Sequence, residues 1–168
     1  TGVLPLKVIA SDGHHCPLLL CLKTVIGFEG GLLLATDLST QNHRLFKFGQ
    51  FFSEKLALKV KTLQIAKLPV SYFPYFNAGN EDMKRGVKNK AEKKYKDYVG
   101  RMEEIPELEY DLITSSNVAG AIYKHFNASE ECLLLLGRTG KSNLPGFQVG
   151  GVTRRYLLEK QHKPVLVI

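Results

Sequence analysis

The chain has 168 residues, 44% of them hydrophobic, and carries 23 Lys and Arg against 16 Asp and Glu, a formal net charge of +7. That length allows one domain with a continuous core. The longest apolar candidate, Pro17 to Phe28, is interrupted by Lys23 and falls short of the ~20 residues a membrane-spanning helix needs. It also lacks the charged start and small-residue cleavage site of a signal peptide, so a soluble, cytoplasmic protein is expected. Three cysteines, Cys16, Cys21 and Cys132, match neither a disulfide framework nor a zinc knuckle, which points to a reducing compartment. His14-His15-Cys16 has metal-ligating side chains, but no second cluster completes a set at a usual spacing, and no metal site is assigned.

In chain order, residues 1–30 have two readings. They are an added strand pair or arm packed on the domain, or the remnant of a preceding repeat. The second rests on an echo between His15-Cys16-Pro17-Leu18-Leu19-Leu20 and His162-Lys163-Pro164-Val165-Leu166-Val167. From residue 31 to 168, short runs of Leu, Ile and Val alternate with stretches of helical period. This alternation is the mark of βαβ units and predicts a Rossmann-like α/β fold, an open five-stranded parallel sheet with helices on both faces.

The first strand is Leu32 to Thr36, ending at Asp37, and Ser39 is placed to cap a helix whose Leu45, Phe46, Phe48, Phe52 and Leu56 face the sheet. A second strand spans about Val60 to Ala66. In the connection Leu68 to Gly79, Pro69 and Pro74 argue against regular structure. A basic helix over roughly 81–104 buries the stripe Met83, Val87, Ala91, Tyr95, Tyr98 and Met102. Lys84, Lys88, Lys90, Lys93, Lys94 and Lys96 then take its solvated side, a surface helix rather than a nucleic-acid face. Beyond Pro106 come a third strand near Leu108 to Thr114 and a short helix capped by Asn117, with Val118, Ala121, Ile122 and Phe126 on its apolar side. Cys132 to Leu136 has no alternation, as expected of a central strand buried on both faces, and Val165 to Ile168 closes the sheet.

The segment richest in chemistry runs from Gly137 to Thr153, with glycines spaced Gly137-x2-Gly140-x9-Gly150 and followed by Gly151, Val152 and Thr153. It starts at the end of a buried strand and finishes at a helix start. Ligands of open α/β sheets bind beyond the strand carboxyl ends, and a helix start offers unpaired N–H groups to an anion. Glycine lets the backbone come close to phosphate oxygens. Neither a Gly-x-Gly-x-x-Gly after the first strand nor a Gly-x4-Gly-Lys-Ser/Thr is present, which argues against a dinucleotide dehydrogenase or a Walker-type ATPase.

With Val152-Thr153 next and Pro164-Val165-Leu166-Val167 at the end, this pattern resembles the nucleotide motif and closing strand of the ATP-binding branch of the universal stress proteins. Ala35-Thr36-Asp37-Leu38-Ser39 resembles that family's first strand and turn. The resemblance covers residues 31–168, the middle by element order alone. It implies ATP or AMP as ligand, with Mg as a companion of the phosphates. Ala35 and Asp37 would lie at the adenosine, and the Ile65 backbone at the adenine. Gly137 and Gly140 would line the ribose and phosphate loop, with Arg138 and Lys141 flanking it. Backbone amides of Gly150, Gly151, Val152 and Thr153 and the Thr153 hydroxyl would meet the phosphates. The family usually has Ser or Thr where Gly151 stands, so binding should weaken and phosphoryl acceptance at that position is excluded. Ser115-Ser116-Asn117 replaces a usual glycine after the third strand.

A stress-response or regulatory nucleotide binder with little or no turnover follows, because no assembled nucleophile and base or acidic pair is visible. The alternatives are a slow ATPase or phosphotransferase with Asp37 positioning a metal or water, and an interaction module that binds no nucleotide. A homodimer through the C-terminal strand is expected from its apolar edge, and the resemblance implies the same.

Overall fold

The computed structural model of the chain describes residues 18–20, 30–39, 42–69, 81–102, 108–139, 149–159 and 163–168. Along the chain it has β1 (Leu18–Leu20), β2 (Leu32–Thr36), α1 (His43–Leu56), β3 (Val60–Lys67), α2 (Glu81–Val99), β4 (Glu109–Ser115), α3 (Val118–Ala128), β5 (Leu133–Leu136), α4 (Gly151–Leu158) and β6 (Val165–Val167). They form one sheet of order β1-β6-β5-β2-β3-β4. The five strands from β2 to β6 pair in parallel, which is the expected doubly wound core.

Every residue of β2 and of β5 is buried, which accounts for their unbroken apolar sequences. Alternate side chains go to opposite faces. Leu33, Ala35, Leu63, Leu134, Leu136, Val165 and Val167 pack with Ala119, Ile122 and Phe126 of α3 and Tyr156 of α4. Leu32, Leu34, Leu133, Leu135 and Leu166 meet Leu45 and Phe46 of α1, with Tyr95 and Tyr98 of α2 against the same cluster. Burying one aliphatic or aromatic side chain stabilises the fold by ~1.5–3 kcal/mol, so the two layers are held mainly by these residues.

Local departures from the expectations have identifiable causes. Asn42, not Ser39, holds the N-cap position of α1, and the buried Ser39 hydroxyl has no hydrogen-bond partner among the described residues. The basic helix ends at Val99 rather than near 104. Arg101 and Met102 there donate to the carbonyls three residues back, Tyr98 and Val99, tightening the chain out of the α-helix. Asn117 caps α3 as expected, its side chain accepting from the Gly120 amide at 3.1 Å. In place of a glycine, Ser115 Oγ accepts from the Asn117 amide at 3.1 Å and shapes the turn after β4.

The N-terminal segment contributes β1, which pairs antiparallel with β6, Leu18 opposite Val167 and Leu20 opposite Val165. It occupies the sheet edge through which a second copy was expected to pair. His14-His15-Cys16 and most of the Leu68 to Gly79 connection lie outside the described residues. Among the described residues, no helix is long and apolar enough to cross a membrane.

Candidate functional site

β2 lies between β3 and β5, so the chain winds outward to β3 and β4 and then crosses back to β5 and β6. The reversal leaves a crevice at the carboxyl ends of β2 and β5, the position where such sheets bind ligands. A cleft of 360 Å³ opens there. Its apolar lining comes from Ala35, Leu63, Ile65, Val118, Ile122 and Leu136, and its polar rim from Thr36, Asp37, Asn42, Gly137, Thr139 and the run Gly150, Gly151, Val152, Thr153.

On one side the turn after β2 carries Asp37. Thr36 Oγ1 accepts from the Leu38 amide at 3.0 Å, and Leu38 adopts φ +54°. Asp37 Oδ1 accepts from the Ser39 amide at 3.0 Å and from Asn42 Nδ2 in a short hydrogen bond. From the far side of the sheet, Lys94 Nζ donates to the Asp37 carbonyl at 2.5 Å and the Tyr98 hydroxyl to the Ser39 carbonyl at 3.4 Å. Burial, assisted by the charge of Asp37, pushes the Tyr98 hydroxyl up to about 12. Lys94 thus departs from the solvated stripe read from the sequence, because the turn gives its ammonium a carbonyl to hold.

On the other side, the glycine segment is closed on itself. The Gly150 amide donates to the Arg138 carbonyl and the Arg138 amide to the Ile168 carbonyl, each at 2.7 Å. α4 then begins without a side-chain cap, since its N-cap is Gly150. The amides of Gly151, Val152 and Thr153 fall in the first turn, where a helix supplies no acceptor, at the cleft wall. The Thr153 hydroxyl, on a residue only 5% exposed, donates to the Gly137 carbonyl at 2.7 Å. Its single hydrogen is therefore engaged with the backbone. A Cβ on Gly137 would stand 2.9 Å from Asn42 Oδ1, so any larger residue there would have to displace the Asn42 side chain. Gly151 has open space where its Cβ would be.

Of the residues singled out from the sequence, Ala35, Asp37, Ile65, Gly137, Gly150, Gly151, Val152 and Thr153 come together around this one cleft. Arg138 is not among its lining residues; its backbone closes the loop. Gly140 and Lys141 lie outside the described residues. Sequence reasoning missed Thr36, Asn42, Leu63, Val118, Ile122, Leu136 and Thr139 as lining. Leu63 was signalled, being two positions before Ile65 on the same strand face, whereas Asn42 had no periodic or motif signal. Among the described residues, no three His, Cys, Asp or Glu side chains lie close enough to hold a metal ion.

No protein-family model matches the sequence, and no curated protein matches it. Solved structures do resemble the fold. The universal stress protein UspA from Lactobacillus plantarum superposes with a TM-score of 0.66 at 17% identity, over 85% of this chain and 99% of that one. A protein of the universal stress protein family from Burkholderia pseudomallei gives 0.58 at 14% identity, over 85% and 98%. A universal stress protein from Archaeoglobus fulgidus gives 0.53 at 16%, over 83% and 98%. At these identities the likeness is one of architecture, and it covers nearly the whole of each relative: the chain has the fold of the universal stress proteins.

Proposed function

We propose that the chain is a universal stress protein of the nucleotide-binding kind, and that the cleft takes an adenine nucleotide, ATP or AMP, as a regulatory ligand with little or no turnover. The observation that carries this reading is that Asp37, the uncapped start of α4 and the apolar side chains Leu63, Ile65, Val118 and Ile122 line one cleft. A flat base fits the floor formed by Leu63, Ile65, Val118 and Ile122. Asp37 accepts hydrogen bonds from sugar or base donors, and the Gly151, Val152 and Thr153 amides donate to phosphate where the helix dipole favours an anion. The volume lies within the range of ~300–1,000 Å³ usual for small-molecule sites.

Asp37 is the only acidic residue in the lining among the described residues. A magnesium ion would therefore arrive with the triphosphate rather than be held by a carboxylate pair among the described residues. The protein would act in the cytoplasm by changing shape or partners on binding. Dimerisation through β6 would require β1 to leave that edge.

Titration calorimetry and thermal melting with AMP and ATP test the reading. Binding stabilises the native state by RT ln(1 + [L]/Kd), so the melting temperature should climb with nucleotide concentration. Millimolar nucleotide that produces neither heat nor a shift overturns it. Phosphate release from ATP, compared between the wild type and Asp37→Asn, measures turnover; rapid release lost in the variant would favour the slow ATPase or phosphotransferase reading instead.

A further inference from the structure

Asn42 stands at the N-cap of α1, where an asparagine side chain ordinarily accepts a hydrogen bond from the first helical turn. Here it makes no such bond. The residue is only 4% exposed and lines the cleft. Its Nδ2 donates to Asp37 Oδ1, and its Oδ1 lies where a Cβ on Gly137 would be 2.9 Å away. One amide thus reaches from the turn after β2 to the backbone after β5, joining the two walls of the crevice.

The turn around Asp37 does not need this bond for its backbone shape. Thr36, the Ser39 amide and Lys94 already hold it. What Asn42 adds is a second donor on the same carboxylate oxygen that the Ser39 amide bonds. Two donors on Oδ1 restrain rotation of the carboxylate. Among the described residues, Oδ2 accepts no hydrogen bond.

We propose that Asn42 is a positioning residue: it locks the Asp37 carboxylate through Oδ1, so that Oδ2 is presented, already oriented, to the donors of the bound nucleoside. The inference rests on the nucleotide-binding reading and adds to it the group that orients Asp37. Affinity gained in this way comes from ordering the acceptor before the ligand arrives.

The test uses AMP as the probe, titrated calorimetrically against the whole chain, with circular dichroism melting as the control for folding. Asn42→Leu keeps the branched shape against Gly137 and removes the donor without adding a charge, whereas Asn42→Ala removes both. Each should weaken AMP binding roughly tenfold, as expected for the loss of one hydrogen bond to a charged group. In an Asp37→Asn background, Asn42→Ala should change affinity by less than about twofold, because a residue that acts through Asp37 has nothing left to orient. Equal losses in both backgrounds would show a structural role and overturn the proposal. So would wild-type affinity in Asn42→Leu, which would make packing rather than donation the contribution. Should Asp37→Asn bind too weakly to titrate, the Asn42→Leu result decides alone. Absence of AMP binding by the wild type itself would instead sink the nucleotide reading, and this inference with it.

Discussion

At the level of single residues, the glycine segment divides into positions with different reasons for their identity. A Cβ at Gly137 would press on the Asn42 side chain, whereas Gly151 has no neighbour within reach of one. Gly151→Ser therefore adds a hydroxyl at the first turn of α4 without a clash. If phosphate lies there, it tightens nucleotide binding by no more than one hydrogen bond, ~0.5–1.5 kcal/mol. Titration calorimetry of the variant checks this, and unchanged affinity would place the phosphate elsewhere. Thr153 behaves oppositely, since its hydroxyl serves the Gly137 carbonyl rather than open space. Thr153→Val keeps the shape and leaves that acceptor unpaired, so it should destabilise the fold by ~1–3 kcal/mol. Nucleotide affinity should fall by less than ~3-fold, because the Thr153 amide remains. A melting temperature equal to wild type would refute the structural assignment of that hydroxyl.

Among the elements, β6 is the one whose surroundings the sequence described least. Its buried residues pair with β5 on one side and with β1 on the other. The ends of the two echoing segments, Leu18–Leu20 and Val165–Val167, are paired antiparallel at this edge. A three-residue strand offers few ladder bonds, and uncovering an apolar edge invites pairing with another copy. Removal of residues 1–30 should therefore convert the protein to a dimer through β6, read as a doubled mass by light scattering. A truncated chain that stays folded and monomeric at micromolar concentration would count against the edge as an association surface. Among the described residues none of those removed lines the cleft, so nucleotide affinity should survive the truncation.

For the whole molecule, the two helical layers bury tyrosines whose hydroxyls must stay protonated. Burial pushes Tyr98 up to about 12 and raises Tyr156 and Tyr110 further still, with the stacked Tyr95 adding to the effect on Tyr110. Lys61 is also raised, first by its hydrogen bond to Asp111, a carboxylate that His125 of α3 approaches at 3.1 Å. Above about pH 10 the unfolded chain loses tyrosine protons that the native state keeps, so the native state binds more protons and stability falls as pH rises. Lys61 acts in the same direction, its contribution present below its unfolded value and lost as pH climbs through the folded one. The melting temperature should drop progressively from about pH 10 to pH 11, and Tyr156→Phe should flatten that slope. A variant whose slope matches wild type would show that Tyr156 titrates normally.

What could be read from the sequence was local. Unbroken apolar runs marked β2 and β5 because both faces of a central parallel strand are covered, and a three- to four-residue period marked α2 because only one stripe of it is buried. The strand-to-helix glycine spacing marked the loop beside the cleft, since unpaired amides and missing Cβ atoms leave a compositional trace. Pairing partners leave none. Only the tertiary structure put β5 beside β2, and with it Gly137 against Asn42, the Thr153 hydroxyl on the Gly137 carbonyl, and Lys94 on the turn that carries Asp37. The Thr153–Gly137 and Lys94–Asp37 contacts join residues 16 and 57 positions apart. Their geometry is set by which strands lie side at side, a long-range choice that no window of neighbouring residues encodes.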